Sequence, residues 1–164
     1  MSKIIVLVHN IRSTYNVGSI LRTCEGFGVQ QVILSGYTPY PKLKNDTRLP
    51  HIAEKMTKQI HKTALGAEEL VKIDHSDDIF KAIRRLKSQS YAIIGLEQAK
   101  NSLKMQDFSP QPTMVLLLGE EVKGITPELL KLCDQTVEIP MFGQKESFNV
   151  SVATGIALYQ FTLK

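Results

Sequence analysis

The chain has 164 residues and 18.4 kDa, the size of one domain and long enough to bury a substantial core. With 43% hydrophobic and 22% charged residues, the apolar content offsets the ordering entropy and excludes overall disorder. The net charge of +4, from 20 basic and 16 acidic residues, is modest and by itself points to no class of partner.

Residues 4–8 form a continuous apolar run of strand length, the pattern of a strand buried on both faces. Residues 16–27 carry Val17, Ile20, Leu21 and Cys24 at helical spacing, and Gly26 and Gly28 close that helix. Residues 31–34 read as a second strand, 36–50 as a loop broken by Pro39, Pro41 and Pro50, and 52–65 as a basic helix. A strand over 70–74, a helix capped by Ser76 and running to Leu86, and a strand over 91–96 follow. Residues 107–112 read as a loop and 114–118 as a strand ending in Gly119. Thr126 caps a helix over 127–132 with Pro127 in its first turn. A short strand over 135–139 and a helix over 151–163 complete the chain. Strands alternating with helices predict one α/β domain, residues 1–164, with a mainly parallel sheet flanked by helices. No linker, repeat or low-complexity segment interrupts it. Ligands bind such sheets at the carboxyl ends of strands, so the loops after Leu96, Leu118 and Ile139 matter most.

No apolar run approaches the roughly 20 residues that span a bilayer. Met-Ser-Lys leads straight into the first strand, and no signal peptide is visible. Cys24 and Cys133 lack metal-ligand spacing and are expected as reduced thiols in a cytoplasmic protein. The charge is unevenly placed. Between Pro41 and Leu65 stand Lys42, Lys44, Arg48, Lys55, Lys58 and Lys62, opposed only by Asp46 and Glu54, and this local +4 leaves the rest of the chain neutral. A solvated loop and helix would carry the same charges; a polyanionic partner is the other reading.

Three segments carry chemistry. Asn16-Val17-Gly18-Ser19-Ile20-Leu21-Arg22 opens a helix after a strand, and Arg22 lies one helical turn beyond Gly18. A guanidinium there suits phosphate, although an amphipathic helix also carries surface arginines. Gly119-Glu120-Glu121-Val122-Lys123-Gly124 follows a strand, where glycine allows close backbone approach. It is neither a P-loop nor a dinucleotide fingerprint, and a lone carboxylate there more often caps a helix. Ile139-Pro140-Met141 leads to Ser147-Phe148-Asn149-Val150-Ser151-Val152-Ala153, with more polar side chains than one helix cap needs.

Together, Asn16-x-Gly18-x-x-x-Arg22, Gly119-x-Glu121-x-x-Gly124 and Ile139-Pro140-Met141…Ser147-x-Asn149-Val150-Ser151-Val152-Ala153 resemble, in order and spacing, the three motifs of the SpoU (TrmH-like) RNA 2′-O-ribose methyltransferases of the SPOUT superfamily. The resemblance implies a SPOUT-type α/β fold with a deep C-terminal trefoil knot, S-adenosylmethionine as cofactor, tRNA or rRNA as substrate, a homodimer with the active site between protomers, and no metal or membrane. By position it implies Leu96, Gly119, Ile139, Ser147 and Phe148 as cofactor-binding, with Phe148 where relatives often carry leucine. Arg22, Glu121 and Asn149 become the catalytic set. Arg22 binds the phosphate and stabilises the developing alkoxide, Glu121 positions Arg22 or Asn149, and Asn149 orients the ribose or the first-motif loop. Asn16 and Arg22, with Lys42, Lys44, Arg48, Lys55, Lys58 and Lys62, become the RNA contacts; Lys55, Lys58 and Lys62 share one helical face. Two competing readings are a catalytically idle RNA-binding or ribosome-assembly protein that keeps the fold, and a nucleotide-binding enzyme of doubly wound type.

Overall fold

In the computed structural model, which describes residues 2–163, the two longest apolar runs become adjacent central strands. β1 (Lys3–His9) and β6 (Thr113–Leu118) pair in parallel from Lys3↔Thr113 to Val8↔Leu118. The other strands are β2 (Gln31–Ser35), β3 (Ile73–Ser76), β4 (Ala92–Leu96), β5 (Leu103–Lys104) and β7 (Gln135–Glu138). Their order is β3-β2-β1-β6-β4-β7-β5, and every pairing in that sheet is parallel.

Side chains alternate faces along a strand, and this divides the core into two layers. Ile4, Val6 and Val8 of β1 face α1 (Thr14–Gly26), α2 (Pro50–Ala64) and α6 (Val150–Leu163), whose buried Ile20, Ile60 and Phe161 lie in the same cluster. Ile5 and Leu7 face the other way, packing with Ile83 and Leu86 of α4 (Ile79–Ser88) and Leu129 of α5 (Pro127–Leu130). Short α3 (Ala67–Leu70) follows α2. Among the described residues no helix is long and apolar enough to cross a membrane.

Several expected boundaries move. α1 begins at Thr14, because the Ser13 hydroxyl accepts the Asn16 N–H at 3.2 Å, so Asn16 sits in the first turn. The strand expected over 70–74 lies at Ile73–Ser76, since Gly66 turns the chain into α3 and pairing with β2 begins at Val32↔Ile73. Asp78, rather than Ser76, caps α4 by accepting the Lys81 N–H, and Ser76 is the last residue of β3. α5 is a single turn, shorter than the expected 127–132, and the Thr126 side chain caps no backbone N–H at its start, bonding the Glu128 carboxylate instead. Ahead of the loop expected over 107–112, β5 pairs with β7 and a 3₁₀ turn spans Met105–Asp107, and within that loop Phe108 is buried against Phe161. Met1 and Lys164 of the expected domain lie outside the described residues.

Candidate active site

The carboxyl ends of β4, β6 and β7 open into a cleft of about 570 Å³, within the range of small-molecule sites. The loop after β6 forms one wall and depends on both of its glycines. Glu120 and Gly124 exchange backbone hydrogen bonds, Glu120 N–H to Gly124 carbonyl at 3.1 Å and Gly124 N–H to Glu120 carbonyl at 2.9 Å. A Cβ at residue 119 would lie 2.4 Å from the Gly124 carbonyl carbon. Gly124 has φ +66°, and a Cβ there would meet the Glu97 carboxylate at 2.0 Å. That carboxylate supports the loop from below, accepting the Ile125 N–H at 2.8 Å and the Gln98 N–H at 2.9 Å.

The three motifs meet through hydrogen bonds at the cleft's edge. The Glu121 carboxylate accepts from the N–H groups of Arg12 (3.2 Å) and Ser13 (3.3 Å) and from the Asn16 amide nitrogen (3.3 Å). The Asn16 amide oxygen accepts from the Asn149 side chain at 3.1 Å. The Asn149 amide oxygen in turn accepts the Ser151 N–H at 2.9 Å and its hydroxyl at 2.7 Å, capping α6. Burial pushes the Glu121 carboxyl up, but its own backbone N–H, those of Arg12 and Ser13, and the Asn16 amide outweigh burial and hold it below the ordinary value.

The sequence model of the SpoU rRNA Methylase family matches residues 3–159. The chain belongs to that family. A tRNA (guanosine(18)-2′-O)-methyltransferase of Aquifex aeolicus (strain VF5) is 29% identical over 157 residues, 96% of this SpoU chain and 67% of its own length. The Escherichia coli (strain K12) protein of the same name is 29% identical over 155 residues, 94% of this chain and 61% of its own. A putative TrmH family tRNA/rRNA methyltransferase of Staphylococcus haemolyticus is 28% identical over 156 residues, 95% of this chain and 57% of its own. The SpoU chain thus spans 57% to 67% of the length of these relatives. Among solved structures, the A. aeolicus TrmH/SpoU tRNA modifying enzyme superposes with a TM-score of 0.80 at 26% identity, covering 99% of this chain and 75% of that one. AviRb of Streptomyces viridochromogenes, in complex with AdoMet, shares the fold with a TM-score of 0.79 at 22% identity, covering 99% and 60%.

The SpoU motifs fall unequally around the site. Leu96, Gly119, Ile139, Ser147 and Phe148 all line the cleft, as do Glu121 and Asn149. Arg22 does not. It is exposed on α1, and among the described residues its guanidinium makes no hydrogen bond or ion pair. Of the two partners expected for Glu121, Arg22 or Asn149, it reaches Asn149, through Asn16. Both ends of the Asn16 amide bond within this chain of contacts, so Asn16 ties the motifs together. Gly18 serves packing: a Cβ there would lie 2.2 Å from the Thr63 hydroxyl and 2.3 Å from the Ile60 carbonyl.

Of the basic residues, Lys55, Lys58 and Lys62 stand exposed on α2, and Lys62 lies 6.0 Å from the Tyr15 ring centroid. Lys42 and Lys44 are exposed on the preceding loop, with Lys42 3.9 Å from Glu54. Arg48 turns inward, contrary to its expected place among the phosphate contacts. It bonds the Asp46 carboxylate and the carbonyls of Tyr40 and Pro41 (3.0 Å each) and lies 3.5 Å over the Tyr40 ring. The opposite face of Tyr40 stacks on His75 at 4.0 Å. Sequence reasoning missed Glu97, whose carboxylate holds the loop after β6. The signal for Glu97 was its place directly after a strand's carboxyl end. Among the described residues no group of three or more His, Cys, Asp or Glu is placed to hold a metal ion.

Proposed function

We propose that this protein is an S-adenosylmethionine-dependent RNA ribose 2′-O-methyltransferase acting on tRNA or rRNA. The observation that carries it is the hydrogen-bonded chain Glu121–Asn16–Asn149, which ties all three motifs to the edge of one cleft. The cleft suits the cofactor: Leu96, Ile139 and Phe148 offer apolar surface for an adenine. Glu97, Glu121, Glu138 and Glu146 outnumber Lys123 on its walls and suit a cation. S-adenosylmethionine supplies a methyl group on a cationic sulfur whose departure as a thioether drives transfer. The competing idle-protein reading finds no support, because the family's Arg22, Glu121 and Asn149 are all present. The doubly wound nucleotide-binding reading yields to the family match. Relatives named for guanosine in tRNA make that the first target to test.

Arg22 carries the charge chemistry. A guanidinium stays protonated, so it binds a phosphate and stabilises oxyanion charge rather than acting as the base. Its place outside its own chain's cleft favours service to the cleft of a second copy. A homodimer also accounts for α6, which is apolar on all sides yet leaves Val152, Tyr159 and Leu163 exposed. α1 and α6 are the proposed interface elements, and the C-terminal knot and cytoplasmic location belong to this same reading. Isothermal calorimetry with S-adenosylmethionine tests the proposal. Saturable binding is expected, weakened at least tenfold in Ile139→Asp; undetectable binding at millimolar cofactor contradicts it.

A further inference from the structure

The cleft has two sides. Leu96, Ile139 and Phe148 stand toward β4 and β7, where the proposed cofactor fits. The loop that follows β6 forms another wall, and it contains a side chain that the proposed chemistry leaves without a task. The carboxylates of Glu97 and Glu121 are both occupied by backbone N–H groups. Glu120 differs. Its backbone is fixed at both N–H and carbonyl against Gly124, its side chain lines the cleft, and among the described residues no backbone N–H donates to its carboxylate.

The Glu120 carboxylate accepts from the hydroxyl of Tyr37, which stands in the loop after β2, beside the cleft rather than in its lining. The Tyr37 N–H donates to the Asn10 amide oxygen at 3.2 Å. Asn10 has φ +57° and Gly36 φ +64°, and a Cβ on residue 36 would meet that same amide oxygen at 2.0 Å. Two left-handed residues from adjacent loops thus interlock and fix where Tyr37 stands. Tyr37 as a residue is 53% exposed. Loss of water around its hydroxyl and the facing Glu120 carboxylate raise the phenol above its ordinary value.

We infer that Glu120, steadied by Tyr37, reads the Watson–Crick edge of a guanine at the target nucleotide. This rests on the methyltransferase reading and narrows its substrate. A carboxylate only accepts. Among the four RNA bases, guanine alone presents two adjacent donors on that edge, N1–H and the exocyclic N2 amino group. Uracil offers one donor, and adenine and cytosine place a ring acceptor beside their amino group, which would oppose a carboxylate oxygen. Paired, charge-assisted donors therefore select guanine, and the half-exposed Tyr37 ring leaves a face on which a splayed base can stack.

The test incubates the full chain with in vitro transcribed tRNA and rRNA and methyl-labelled S-adenosylmethionine, then digests the RNA to nucleosides. Label is expected in 2′-O-methylguanosine. Glu120→Gln lowers transfer about 10- to 100-fold, the discrimination typical of a bidentate base contact, with cofactor affinity unchanged by calorimetry. Transcripts carrying inosine for guanosine, which lack the amino group, lose a comparable factor with the unmodified enzyme and little more with Glu120→Gln. Tyr37→Phe is expected to narrow the guanosine-to-inosine ratio while cofactor affinity holds. Label in another 2′-O-methyl nucleoside, or full transfer by Glu120→Gln, overturns the inference. Absence of label from every nucleoside overturns the methyltransferase reading itself, a separate and recognisable result.

Discussion

Glu121 accepts three hydrogen bonds, from Arg12, Ser13 and Asn16, and its ionised form accepts them most strongly. Glu121→Gln leaves an amide among N–H donors, a cost of about 1–3 kcal/mol for groups left unsatisfied. A lower melting temperature and a larger loss of methyl transfer are the expected outcomes. The pH dependence follows from the sign of the shift. The folded carboxyl titrates below its ordinary value, so the unfolded chain binds the extra proton first as pH falls. Its stabilisation is full above the ordinary carboxylate range and is lost as pH falls through the lowered folded value. Asp46 behaves alike, its carboxyl held far down chiefly by the Arg48 hydrogen bond and against the opposing effect of burial. Melting curves between neutral and acid pH should steepen in decline below the carboxylate range, and Glu121→Gln should remove part of that slope. An unchanged slope would show that Glu121 is not held as described.

At the level of elements, α1 and α2 touch so closely at Gly18 that no side chain fits. Gly18→Ala should destabilise by about 1–3 kcal/mol, as overpacking does. For a chain of this size that lowers the melting temperature by about 2–4 °C per kcal/mol. The same helix pair presents Lys55, Lys58 and Lys62. Changing all three to glutamate should weaken RNA binding and reduce the slope of log affinity against log salt by about 2–3, from roughly 0.7–0.9 per phosphate contact. An intact slope would remove α2 from the RNA surface. The parallel sheet was legible because unbroken apolar runs mark strands buried on both faces, and the loops that line the cleft were legible because ligands gather at strand carboxyl ends. Other features depend on contacts between residues far apart in the chain. Glu121 meets Arg12 and Ser13 across more than a hundred residues, which no local spacing records. Arg48 counted as free charge until Asp46 and Tyr40 enclosed it. β5 has two residues, too few for a periodic signal.

For the whole molecule, charge and shape divide the work. The basic excess lies on α2 and the preceding loop, whereas the cleft is acidic, a division that under the proposed function suits RNA phosphates outside the cleft and a cationic cofactor within it. Two copies joined through α1 and α6 would present two basic surfaces and bring Arg22 to the opposite cleft. The most direct measurement is transfer of labelled methyl from S-adenosylmethionine to RNA by the unmodified chain and by Arg22→Ala, with nucleosides identified after digestion. The unmodified chain should place label on a ribose 2′-oxygen, and Arg22→Ala should lose transfer while binding cofactor normally. Mixing Arg22→Ala with a variant defective only in the cofactor cleft, such as Ile139→Asp, should restore part of the activity through mixed dimers. Label on a base, or full transfer by Arg22→Ala, would contradict the account.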